Sequence, residues 1–168
     1  MMFTTRILIS LLFFPLGLFA QKSIDAALKK YNKGDIPYIS IDSLQKRLSK
    51  NQIVLLDARE KQETSVSTLP NAFHIGFEDF EMSKLEELSI DKQASIVVYC
   101  SIGVRSEAIA RKIKAAGYAE VYNLYGGIFE WINQENTVVN ARQQPTDSVH
   151  AFSKFWAKFL TRGTKVYE

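Results

Sequence analysis

Apolar residues along this chain come in two forms, short unbroken runs and stripes at helical spacing, and the two alternate. Ile53-Val54-Leu55-Leu56 and Ser95 to Tyr99 are runs of strand length, the form taken by strands buried on both faces of a parallel sheet. Tyr38-Ile39-Ser40, Ala72 to Ile75 and Val121 to Leu124 read as shorter strands, and Val138-Val139 as a small edge element. Between them lie helical stripes. Residues 23–33 carry Ile24, Ala27, Leu28 and Tyr31 before Gly34, and Asp42 to Lys50 presents Leu44 and Leu48. Phe77 to Leu88 turns Phe80, Leu85 and Leu88 inward, and Ser106 to Ala116 places Ala108, Ile109 and Ile113 on one face ahead of Gly117. A last helix follows Gly126-Gly127 and reaches about Asn133. Residues 57–70 and 134–148 are polar and read as loops. Strands and helices in this order predict an α/β fold with a mainly parallel central sheet and helices on both faces.

The start of the chain changes the picture. Arg6, the apolar run Ile7 to Phe19 and the small residue Ala20 before Gln21 have the order of a secretory signal peptide. The run is short for a spanning helix and contains Pro15 and Gly17. Export to a periplasmic or secreted location, with cleavage near Ala20-Gln21, is the expectation. Removing that segment leaves about 150 residues, a size suited to one core.

Charge excludes more than it selects. A formal net charge of +3 with no long Lys/Arg block gives no reason to expect nucleic acid. The chain has one cysteine, Cys100, so no intramolecular disulfide is available. His74 and His150 are far from it and from each other, without the close spacing of metal ligands, so neither a metal nor a cofactor is expected. His74 is read as structural and Trp131 as core. Phe152, Phe155, Trp156 and Phe159 form an aromatic stripe at helical spacing with Lys154, Lys158, Arg162 and Lys165 nearby. It suits either a fold back onto the domain, the favoured reading, or contact with a membrane surface.

Cys100 follows a buried strand and precedes a helix, the position where open α/β sheets collect ligands. Backbone amides and the dipole at a helix N-terminus lower a thiol's pKa there, and the thiolate is the nucleophile. Arg105 adds positive charge, and Gly103 permits positive φ in a tight cradle.

The segment Cys100-Ser-Ile-Gly-Val-Arg-Ser106 resembles the active-site loop of the rhodanese (sulfurtransferase) family in its single-domain C-x-x-G-x-R-S form. Leu56-Asp57-Ala58-Arg59-Glu60, Leu69-Pro70-Asn71-Ala72-Phe73-His74-Ile75 and Tyr118 to Trp131 resemble three further family motifs, in the same order. Asn71 stands where the family usually has Gly, as its tolerance of the left-handed conformation allows. The resemblance divides the chain into a signal peptide (1–20), a helical extension (21–37), a rhodanese-like domain (38–140) and a linker with an amphipathic C-terminal segment (141–168).

The resemblance implies sulfur transfer through a persulfide on Cys100. Residues Ser101, Ile102, Gly103, Val104 and Arg105 would bind substrate, with Arg59 reaching the pocket. Asp57 and Ser106 would support the geometry, and so would Arg59 beside its reach to the pocket. Implied partners are a small sulfur-donor anion, such as thiosulfate or another sulfane-sulfur compound, and a thiophilic acceptor: cyanide, a thiol or a protein thiol. Four residues separate Cys100 from Arg105, one fewer than in the related Cys-based phosphatases. A phosphatase or arsenate-type enzyme is therefore the lesser alternative, alongside a non-catalytic rhodanese-like binding module.

Overall fold

The computed structural model describes residues 17–167, with side chains from Ile24 onward. The expected signal segment lies, as far as residue 16, outside the described residues. Helix α1, Gly17–Tyr31, runs through the Ala20-Gln21 junction. The chain then forms β1 (Tyr38–Ile39), α2 (Ile41–Leu48), β2 (Val54–Asp57), α3 (Lys61–Val66), β3 (Phe73–His74) and α4 (Ser83–Glu87). It continues with β4 (Ser95–Tyr99), α5 (Val104–Ala115), β5 (Glu120–Leu124) and α6 (Gly127–Asn133). After α6 come β6 (Val138–Val139), β7 (Pro145–Thr146), β8 (Ser148–His150), a 3-10 turn at Trp156–Phe159 and β9 (Thr164–Val166).

Five strands form one parallel sheet in the order β1-β5-β4-β2-β3. Because side chains alternate along a strand, β2 and β4 each feed two cores. Leu55, Val97 and Tyr99 enter the core formed with Ile24 and Leu28 of α1, Leu44 of α2 and Ile128 and Phe129 of α6. Leu56, Ile96 and Val98 enter the other, with Phe80, Leu85 of α4 and Ile109, Ala110 and Ile113 of α5. The predicted α/β architecture with both faces covered is the one observed. The carboxyl end of β4 therefore opens at the centre of the sheet.

Several elements differ from the sequence expectation, each for a local reason. Residues 57–70 hold the short helix α3. Glu63 at its third position accepts the Glu60 N–H at 3.0 Å, a reciprocal cap that a Glu in place of Ser or Thr disguises. The helix expected over Phe77 to Leu88 shrinks to Ser83–Glu87, with Phe80 and Leu85 buried and Leu88 only half-buried. Helix α5 begins at Val104, not Ser106, because Gly103 at φ 106 makes the turn that starts it. On that helix Ala108 is only half-buried, while Ala110 joins the core. Asn71 adopts φ 60, as expected of Asn there.

The C-terminal stripe is not a continuous amphipathic helix. Parallel pairing of β8 with β9 draws the tail into the fold, and only one 3-10 turn remains, with Phe159 buried and Phe152 and Phe155 exposed.

Phe129 is fully buried where α6 meets the sheet. Phe129→Ala is expected to cost about 3–5 kcal/mol, the range for emptying a buried aromatic site, read as a lower urea midpoint at unchanged slope.

Candidate active site

Cys100 directly follows β4, and its loop is clamped from the far side by α6. The Ile128 N–H donates to the Cys100 carbonyl at 3.0 Å and the Phe129 N–H to the Ser101 carbonyl at 3.1 Å. That approach needs Gly127, at φ 54, since a Cβ there would overlap the Cys100 carbonyl oxygen and lie 2.8 Å from the Ser101 carbonyl carbon. The other end of the loop is tied through Gly103, whose carbonyl accepts Asn123 Nδ2 at 2.8 Å and Asn32 Nδ2 at 2.9 Å. With both ends fixed, the Gly103 N–H points at Cys100 Sγ at 3.2 Å. The Ser106 hydroxyl lies 3.4 Å from the same sulfur and 2.7 Å from Asn123 Oδ1. Ser106 thus donates to Asn123 and sits beside the sulfur, the supporting role expected of it.

Burial is the largest influence on the Cys100 thiol and pushes its pKa up. The Arg105 charge, the Ser106 hydroxyl and the amides of Ser106 and Gly103 together outweigh it, so the pKa lies below the ordinary thiol value. Arg105 is not free to swing. Its guanidinium grips Glu63 at 2.6 and 2.7 Å, and Ser101 Oγ sits 3.0 Å from both partners. Burial pushes the Glu63 carboxyl up, but hydrogen bonds and charge from Arg105, the Arg59 charge and the Glu60 amide hold it below its usual range.

Arg59 and Asp57 belong to a separate buried network. Arg59 donates to both Asp57 carboxylate oxygens, at 3.0 and 2.7 Å, and to the Ser67 carbonyl at 2.7 Å. The Tyr99 hydroxyl donates to Asp57 Oδ2 at 2.5 Å and accepts the Leu69 N–H at 3.1 Å. Burial, with the Asp57 charge, drives the Tyr99 pKa well up, so the phenol stays a donor. Arg59 is fully buried and is not among the residues lining the pocket. It holds the 57–70 segment in place, the supporting role expected of it, and does not reach the pocket as was also expected. His74 Nε2 bonds the Arg59 carbonyl at 2.8 Å, and Trp131 Nε1 donates to the Thr137 carbonyl at 2.8 Å. Both are structural.

A cavity of about 110 Å³ opens on Cys100, lined by Ser101, Ile102, Val104, Arg105, Phe152 and Trp156 as well. The structure thus brings together Cys100 and every expected loop residue except Gly103, which acts from behind through its amide. Three residues that shape the site escaped the sequence reading. Glu63 was lost in an assumed loop, though the Glu60-x-x-Glu63 spacing marks a helix start. Phe152 and Trp156 arrive from the tail, whose fold back onto the domain the aromatic stripe suggests without placing it at Cys100.

The family model for the rhodanese-like domain matches residues 40–134, from the start of α2 to the end of α6. The chain belongs to the rhodanese-like domain family. Over 86 residues it is 34% identical to thiosulfate sulfurtransferase GlpE of Coxiella burnetii, a stretch covering 50% of this chain and 76% of that protein. Human single-domain sulfurtransferase TSTD1 is 22% identical with a TM-score of 0.53, over 60% of this chain and 98% of that one. A thiosulfate sulfurtransferase from Pseudomonas aeruginosa is 18% identical with a TM-score of 0.60, over 84% of this chain and 26% of that one. These structures share the rhodanese fold with it.

Two outcomes follow from the geometry. Arg105→Gln is expected to move the pH midpoint of Cys100 alkylation upward, because a positive charge favouring the thiolate is lost; an unchanged midpoint would count against Arg105 as its stabiliser. Gly127→Ala should destabilise by about 1–3 kcal/mol through forced overlap and slow Cys100 alkylation in the fraction that folds.

Proposed function

We propose that this protein is a sulfurtransferase that carries a sulfane sulfur on Cys100. The observation that carries the reading is the sulfur itself. Cys100 lines a cavity, and its Sγ receives the Gly103 amide at 3.2 Å and lies 3.4 Å from the Ser106 hydroxyl, beside the Arg105 charge. Such a thiolate attacks the outer sulfur of a donor, and the donor's remainder leaves with the bonding electron pair. The Gly103 amide, already aimed at the thiolate, stabilises negative charge on the sulfur pair as it forms. An acceptor thiolate or cyanide then attacks the outer sulfur and regenerates Cys100. The four-residue spacing between Cys100 and Arg105 favours sulfur over a phosphoryl group.

The signal-peptide pattern of Arg6, Ile7 to Phe19 and Ala20 supports export as the cellular setting. N-terminal sequencing of the protein from its native host is expected to begin at Gln21; an intact Met1 would remove that part of the reading.

Incubation of the reduced protein with sulfane-sulfur donors is expected to add ~32 Da, one sulfur, to the intact mass. The adduct should disappear on addition of cyanide or a thiol and be absent in Cys100→Ser. A panel of donors giving no adduct on accessible, reduced Cys100 would refute sulfur transfer.

A further inference from the structure

The wall of the pocket that faces the Cys100 loop comes from chain beyond the family match, which ends at residue 134. It is held firmly. The Ala151 N–H donates to the Val166 carbonyl at 2.7 Å, extending the pairing of β8 with β9. The chain then turns at Phe152 with φ 61, a left-handed conformation that is costly for a bulky aromatic and persists only when its surroundings impose it. The Phe152 N–H donates to His150 Nδ1 at 3.1 Å, and its ring lies 4.6 Å from the Arg105 guanidinium. Trp156 packs edge-on to Tyr31 at 5.6 Å and to Phe155 at 5.0 Å, and tilts over Phe159 at 5.8 Å.

The strained turn sets an aromatic ring against the pocket while leaving Phe152 46% exposed. Among the described residues, Arg105 is the one charged side chain lining the cavity. Its charge is matched by both oxygens of buried Glu63, and Phe152 covers part of it. A small inorganic dianion entering here meets a guanidinium already paired and a carboxylate behind it. An apolar group meets Ile102, Val104, Phe152 and Trp156.

We infer that the C-terminal aromatic wall, Phe152 with Trp156, selects organic sulfane-sulfur donors with an apolar R group, R–SO2–S⁻ or R–S–S⁻, over inorganic thiosulfate. The inference rests on the sulfurtransferase reading above. With a thiosulfonate, the Cys100 thiolate bonds to the terminal sulfur and the bond from that sulfur to the sulfonyl sulfur breaks. The sulfinate R–SO2⁻ leaves with the electron pair, and no proton or outside oxidant is needed. An apolar cavity of ~150 Å³ holds a benzene ring. The 110 Å³ here takes the reacting sulfur and one edge of such a ring, with the remainder lying against Phe152 and Trp156.

The test compares rates of Cys100 persulfide formation in the full chain with thiosulfate, methanethiosulfonate and benzenethiosulfonate, read by intact mass. The two thiosulfonates share charge and reacting group, so their ratio isolates the R group. Benzenethiosulfonate is expected to lead methanethiosulfonate by ~10-fold, the discrimination a few apolar contacts supply, with thiosulfate slowest. Phe152→Asn keeps a residue tolerant of positive φ and should cut the ratio to within about 2–3-fold. Glu63→Gln frees the guanidinium while keeping a residue that can cap α3, and should raise thiosulfate use relative to benzenethiosulfonate. Equal thiosulfonate rates, a ratio unmoved by Phe152→Asn, or thiosulfate as the fastest donor would overturn the inference and leave sulfur transfer standing. No persulfide from any donor would overturn both.

Discussion

Glu63 is a carboxylate almost removed from water, and it would be a liability in isolation, since desolvating a charge costs several kcal/mol. It is compensated from four directions: two nitrogens of Arg105, the Ser101 hydroxyl and the Glu60 amide. Those partners belong to α5, to the Cys100 loop and to the start of α3. One buried ion thus fixes the relative positions of three separate segments. Its removal alone would strand Arg105 beside an apolar cavity, so the pair is best understood as a geometric device whose net contribution to stability is small.

That device works because the sheet beneath it is already rigid. Ile96, Val97, Val98 and Tyr99 are all fully buried and alternate between the two cores, so β4 cannot slip by one residue without exchanging its faces. The strand delivers Cys100 to a fixed point, and α6 then holds the carbonyls of Cys100 and Ser101 with two amides. The Asp57–Arg59–Tyr99 network fixes the adjacent strand end and the segment that carries Glu63. Packing sets the position of the sulfur, and polar contacts then set its ionisation.

The legible parts of this arrangement were those written in neighbouring residues. The run Ser95 to Tyr99 declared a buried strand, and Cys100, Gly103 and Arg105 declared a thiolate cradle. Gly126-Gly127 marked a helix start, and its second glycine is explained by the close approach to Cys100. The parts that could not be read depend on competition between local and distant partners. Ser106 reads as the start of a helix, but its hydroxyl bonds Asn123 beside the sulfur while Gly103 turns the chain earlier. The strand-end motif leaves Arg59 within reach of the pocket, yet burial with Asp57 removes it. The aromatic stripe at 152–159 has helical spacing, but pairing of β8 with β9 bends it before a helix can propagate.

The tail also bears on the electrostatics of the sulfur. An apolar wall lowers the local dielectric, which raises the cost of an unpaired thiolate and strengthens every charge interaction that stabilises it. For Cys100 burial is the largest single influence and acts against ionisation, yet the combined pull of Arg105, Ser106 and Gly103 prevails. The balance holds because those groups are already in position around the sulfur and need no reorganisation as it ionises. Phe152 meets the same group: its ring lies 4.6 Å from the Arg105 guanidinium, so the residue that shapes the entrance also touches the cation beside the thiol. Aromatic wall and ion pair therefore meet at Arg105, whose charge is the largest of the influences that lower the Cys100 pKa.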